Sequence, residues 1–236
     1  LLAENPNDPE LLFLKAGTLV GLGQRDEARD MYRALVADNP SASAAWINLY
    51  RLERIEGDPV AGQAVLQEAL EIMPDNAGIK VAFADEMIRA GDTDRAIELY
   101  GELYVANSSS VLVANNLASL LADNRDDVDS LKRAYSVARR LRGTDVPELQ
   151  DTYGWIAFRM GNFEEAKPYL EDAAAALAGN AVVQYHYGKV LAASGETEAA
   201  LAQFAKVQEM VEDGDTSAYL IDMAAEIEKL KASDDQ

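Results

Sequence analysis

Chemistry in this chain would have to come from a single histidine, a large excess of carboxylates and a smaller set of cations, because there is no cysteine at all. His186 lies between Tyr185 and Tyr187 in a helical stretch, with no second His or Cys to complete a zinc site. An imidazole in that setting is a packing or groove residue rather than a catalyst. The paired carboxylates Asp126-Asp127 and Glu164-Glu165 stand where helices should begin. Negative charge there opposes the positive end of the helix dipole, which accounts for them without general acid-base work. Asp213-Gly214-Asp215 lacks the ligand spacing of a calcium loop. There is no glycine-rich phosphate loop and no nucleophile elbow. The sequence therefore predicts no enzyme, no catalytic residue, no cofactor and no metal site.

Recognition chemistry is better represented. The formal net charge is -20, yet Arg51, Arg54, Arg89, Arg159 and Lys189 project from the faces of amphipathic first helices opposite the apolar stripe. Asn48, Asn115, Asn116, Trp155 and Tyr185 share that face, together with Phe158. Arginine and aromatic residues dominate binding hot spots, and asparagine amides hydrogen-bond an extended backbone. These ten cationic, amide and ring residues (Asn48, Arg51, Arg54, Arg89, Asn115, Asn116, Trp155, Arg159, Tyr185 and Lys189) are the candidate partner-binding set. They suit a peptide or helix with some acidic character. The competing reading keeps Trp155, Phe158 and Tyr185 packed between neighbouring helices, with the arginines paired to Asp85, Glu53 or Asp151.

Such a face needs a regular framework, and the sequence contains one. Pro6, Pro40 and Pro74 are spaced by 34 residues, as are Gly23, Gly57 and Gly91, and later Gly161 and Gly195. Small residues keep the same beat at Ala28, Gly62, Ala96, Ala166 and Ala200. Four residues on from each comes a bulky one: Tyr32, Leu66, Tyr100, Leu170 and Phe204. Each unit divides into two amphipathic helices. In the second, Ala45, Trp46, Leu49 and Leu52 have helical spacing. Gly57 closes that helix, Asp58 caps the next and Pro59 suits its first position. A lone helix pair cannot bury its apolar face, so neighbouring units must stack.

Trp46…Leu49…Gly57…Ala69…Pro74, Phe83-Ala84…Gly91…Ala96…Tyr100, Tyr153-Gly154…Gly161…Ala166 and Tyr187-Gly188…Gly195…Ala200…Phe204 resemble the tetratricopeptide repeat family. The resemblance covers essentially the whole chain. It implies an all-α right-handed superhelix of six helix-turn-helix repeats, at about 9–40, 41–74, 75–108, 109–146, 147–180 and 181–212. A capping helix follows at about 216–232, and residues 1–6 are the tail of a preceding repeat in a longer array. The family's first helices line a concave groove in which partners lie as extended peptides or helices. A chaperone-tail clamp is disfavoured, because Phe13, Gly17, Asn48, Gly78 and Ala82 fill the corresponding places and only Asn48 fits.

Three departures from the pattern carry expectations. Tyr50 stands where a small residue is usual, so the second unit should pack loosely or bend. The fourth unit replaces its turn glycine by Asn124-Arg125-Asp126-Asp127, and its small residue, Ala134, comes late, as if four residues were inserted before it and two deleted after it. Pro168 inside a second helix should loosen or kink its first turns.

The function implied is a protein-protein interaction scaffold. The alternatives are a structural spacer or self-association module, or a non-catalytic part of a larger enzyme or of a secretion or polysaccharide-export assembly. The acidity repels nucleic acid, and no apolar run approaches the ~20 residues of a membrane helix. The phrases around Asn115, Tyr153 and Tyr187 are similar to the C-terminal repeats of long bacterial envelope proteins. That resemblance points to the bacterial envelope or periplasm rather than the cytoplasm, while the residues themselves leave the compartment unknown.

Overall fold

A computed structural model describes residues 7–211 and 215–234, with side chains to 232. The expected repeat tail at 1–6, the start of the 213–216 loop and the last two residues lie outside the described residues. Those described form thirteen α-helices and no strand. They fall into two compact units, one ending at Ala106 and one starting at Asn107. The first unit holds three helix pairs: α1 (Pro9–Gly21) with α2 (Arg25–Asp38), α3 (Ser43–Ile55) with α4 (Pro59–Ile72), and α5 (Ala77–Ala90) with α6 (Thr93–Ala106). The second holds α7 (Val111–Asn124) with α8 (Val128–Ala138), α9 (Pro147–Arg159) with α10 (Phe163–Ala176), and α11 (Ala181–Ala193) with α12 (Thr197–Met210). It is completed by α13 (Ala218–Asp234).

Local signals start and stop these helices as the sequence predicts. Asp58 accepts a hydrogen bond from the Ala61 amide with Pro59 in the first turn, and Asn76, Ser110, Asp127 and Asn180 cap their helices in the same way. Five of the six pairs reverse through a left-handed glycine, whereas α7 and α8 are joined by Arg125-Asp126-Asp127 without one. Gly57 (φ 81°) and Gly91 (φ 79°) adopt that conformation without the clash a Cβ would cause.

The small-then-bulky alternation builds the core. Ala28 with Tyr32, Ala96 with Tyr100, Ala166 with Leu170 and Ala200 with Phe204 are all buried. At the second pair the sizes are exchanged. Tyr50 is buried rather than loosely packed, because Gly62 opposite it has no side chain, and a Cβ there would already touch the Tyr50 ring at 3.4 Å. A large residue facing a glycine conserves total volume, so the pair closes normally.

The irregular fourth pair resolves into two compensating changes. The α7–α8 connection, 125–127, is no longer than those of most other pairs, and the insertion chiefly lengthens the start of α8, where Ala134 is the seventh residue while Ala96 is the fourth of α6. The deletion falls at the far end. There α8 tightens into a 3-10 turn, Arg139–Leu141, and leaves through Gly143 (φ 78°). α10 is continuous from Phe163 to Ala176 across Pro168. The proline withholds only the one N–H that would have met the Glu164 carbonyl in the first turn.

Polar seams join the second unit. Tyr135 of α8 and Tyr153 of α9 donate to Glu165 of α10 at 2.6 and 2.7 Å. These hydroxyls, Tyr135 first, hold the Glu165 carboxyl below the ordinary glutamate value of 4.5. A depressed folded-state pKa contributes stability that is present above the ordinary value and lost as pH falls through the lower one. Glu165→Gln should therefore flatten the loss of stability below pH 4.5. Urea midpoints taken across acid pH check this, and parallel curves for parent and variant would refute it.

Among the described side chains of α13, only Met223 and Leu230 are buried, two turns apart, against α11 and α12. Ile221, apolar as well, is 65% exposed. A helix packed on one side needs only a narrow apolar stripe.

Candidate peptide groove on the first helices

In the first unit α1, α3 and α5 present one face with two open hollows. One, of about 490 Å³, lies between α1 and α3 and is walled by Phe13, Leu14, Val20 and Asn48. The other, of about 500 Å³, lies between α3 and α5 and is walled by Ile47, Val81, Ala82 and Arg89. Arg51 and Ile55 line both. The hollows exist because Gly17 and Gly78 put no side chain there. Leu14 and Ile55 are 63% and 54% exposed.

The floor of the second hollow is a charged cluster around Glu86, which is buried. Arg54 Nη1 donates to both Glu86 oxygens at 3.0 and 3.2 Å. Arg89 Nη1 donates to Glu86 Oε2 and to the Tyr50 hydroxyl, each at 2.9 Å, and that hydroxyl donates to Oε2 at 2.8 Å. Burial and the neighbouring carboxylate push the Tyr50 pKa up, so it remains a donor. The partners differ from those considered from sequence. Glu53 is taken by Arg29, Asp85 accepts from Tyr100 at 2.5 Å, and Asp151 lies 2.9 Å from His186 Nδ1. Glu86 escapes a sequence reading because it is a charge on a buried face. The oversized Tyr50, whose hydroxyl needs a buried partner, is the signal that could have found it. Arg51 reaches only the Asn48 amide oxygen, at 3.5 Å, and has no carboxylate partner among the described residues.

The second unit treats its candidates differently. Trp155 is 9% exposed, stacked on His186 with ring centroids 4.0 Å apart and on Phe158 at 5.1 Å, and its Nε1 donates to Asp123 at 3.2 Å. Arg159 donates to the Ala122 carbonyl at 2.6 Å and to Asp126 at 2.5 Å. Tyr185, 5% exposed, donates to Asp222 at 2.7 Å. Lys189 donates to Asp222 and Glu226 of α13 at 2.7 and 3.1 Å. Burial, the largest single influence, opposes ionisation of these two carboxylates, but Lys189 together with Tyr185 at Asp222 and Lys229 at Glu226 outweighs it and keeps both pKa values low. Asn115 Nδ2 donates to Asn116 at 3.3 Å, while Asn115 Oδ1 is buried without a partner. Arg51, Arg54 and Arg89 thus gather on one open face, with Asn48 beside them. Trp155, Arg159, Tyr185 and Lys189 are held by neighbouring helices.

Family models described as tetratricopeptide repeat match residues 1–52, 54–106 and 157–220, and a second such model matches 81–146. The chain belongs to the tetratricopeptide repeat family. Its all-α fold matches solved members along nearly the whole length. A tetratricopeptide repeat protein from Parabacteroides merdae ATCC 43184 superposes with a TM-score of 0.67 at 17% identity, covering 96% of this chain and 86% of that one. YrrB, described as a TPR protein with an unusual peptide-binding site, gives 0.62 at 16% identity over 84% and 97% of the two chains. Among curated sequences, the human protein O-mannosyl-transferase TMTC1 is 34% identical over 79 residues, 32% of this chain. The match spans 9% of that protein's length.

Proposed function

We propose that this tetratricopeptide array is a non-catalytic protein-binding module that receives a peptide or helix of another protein on the open face of α1, α3 and α5. The observation that carries the reading is the pair of adjoining hollows. They combine exposed apolar walls with guanidinium groups in a chain whose formal net charge is -20. Concave apolar surfaces with a few placed polar groups are what binding sites present. YrrB, with its peptide-binding site, supports peptide recognition on this fold.

The test is affinity capture from native extract with the parent and with Arg51→Glu/Ile55→Glu. Both positions are exposed, so the double variant should keep its helicity by circular dichroism and lose little stability. Proteins retained by the parent and absent from the variant support the face as the site. Equal recovery on both moves binding elsewhere.

A further inference from the structure

We infer that the trough across α1, α3 and α5 takes an amphipathic peptide with one internal Asp or Glu flanked on both sides by apolar residues, and that Arg51 is the partner of that carboxylate. The inference rests on the groove reading above and specifies its ligand. Three guanidiniums face the trough, but Arg54 and Arg89 are committed to Glu86. Arg51 is not: its contact is one amide oxygen at 3.5 Å, near the limit of a hydrogen bond. Its planar donor fork is therefore available for the bidentate contact that carboxylates make best.

Position matters as much as availability. Arg51 and Ile55 are the lining shared by both hollows, so the cation stands between two apolar cavities rather than at an end. A carboxylate held there has Phe13 and Leu14 on one side and Ile47 and Val81 on the other. Packed helices lie about 8–10 Å apart. Each hollow is therefore displaced from Arg51 by about half that distance, close to one turn of a bound helix, ~5.4 Å. The ligand should carry its apolar residues about one turn before and after the acid.

The whole-chain charge sharpens the choice. A protein at -20 repels polyacidic ligands at long range. One carboxylate embedded in apolar surface gains the Arg51 contact and the burial while meeting little of that repulsion. A terminal carboxylate is not required, because the trough continues on both sides of the guanidinium.

The experiment is parallel selection of a random linear peptide display library on the parent, on Arg51→Glu and on Ile55→Glu, followed by affinities of synthesised winners. The parent should select a single Asp or Glu between apolar residues. Those peptides should bind Arg51→Glu roughly tenfold or more weakly. Arg51→Glu should itself select Lys or Arg at the central place. If winners lose affinity on Ile55→Glu but are indifferent to Arg51→Glu, the carboxylate anchor is refuted and the groove reading stands. If they bind all three forms alike, both fall. Selection of polyacidic peptides without apolar flanks also overturns the inference. So does a concentration-dependent dimer of the parent that Arg51→Glu abolishes, since the occupant would then be a second copy of the chain.

Discussion

Gly188→Val should destabilise the α11–α12 pair by about 3 kcal/mol or more, the upper range for overpacking a core. A Cβ built on Gly188 would lie inside contact distance of the Phe204 ring, 2.6 Å from Cδ1 and 3.1 Å from Cζ. Phe204 is fully buried and has nowhere to move. Gly188→Ala separates the two forces involved. Alanine gains up to about 1 kcal/mol of helix propensity, which an overpacking cost of about 1–3 kcal/mol should outweigh. Gly21→Ala is the control. Gly21 is helical and a Cβ there meets nothing within 4 Å, so the propensity gain should appear alone. Urea unfolding followed by far-ultraviolet circular dichroism measures all three. If Gly188→Ala stabilised the chain as Gly21→Ala does, the close approach of α11 and α12 would be wrong.

Trp155→Ala is the second large effect, and it should be a loss of stability rather than of partner affinity. The indole is sandwiched between Phe158 and His186 and anchored to Asp123. Truncating a buried tryptophan typically costs about 3–5 kcal/mol, through lost transfer free energy and the cavity left behind. The carboxylate and imidazole groups beside it, Asp123 and the Asp151–His186 pair, would also be opened to water. Folded Trp155→Ala at low temperature should still bind any peptide that Arg51→Glu rejects. A variant that kept parental stability while losing such a peptide would place the ligand on the second unit instead.

These two positions mark what the sequence makes legible. Phe204 closes a small-then-bulky rhythm visible at a fixed period, and Gly188 stands in the recurring Tyr-Gly phrase of the first helices (Tyr153-Gly154, Tyr187-Gly188), so both are legible as packing positions. Trp155 carries the residue type of a binding hot spot, and type does not report burial. Its fate is set by His186, thirty-one residues on and brought close only by stacking of α9 on α11. Arginine 51 stands out in the sequence no more than Arg54 does. What separates them is Glu86, which reaches Arg54 and not Arg51. Tyr50 shows the same limit from the other side: judged alone it is too large for its place, and it fits because Gly62 across the pair is too small. A periodic pattern encodes each helix's own face, whereas compensation between helices has to be seen in three dimensions.

One recurring contact bears on how such arrays are taken apart. The fourth residue of α3 is Trp46, whose Nε1 donates to the Pro40 carbonyl at 2.9 Å. The fourth residue of α9 is Gln150, which donates to the Thr144 carbonyl at 3.1 Å. At the fourth residue of α11, Gln184 donates to the Ala174 and Leu177 carbonyls at 2.7 and 3.2 Å. The donor changes from indole to amide, but each time a first helix is stitched to backbone oxygen upstream of its own start. Any graft or chimera cut at the first helical residue severs that stitch and strands the carbonyl on one fragment and its donor on the other. The transferable module begins upstream of the stitched carbonyl, so a cut before Pro40 or Thr144 should yield better-behaved hybrids than one at Ser43 or Pro147.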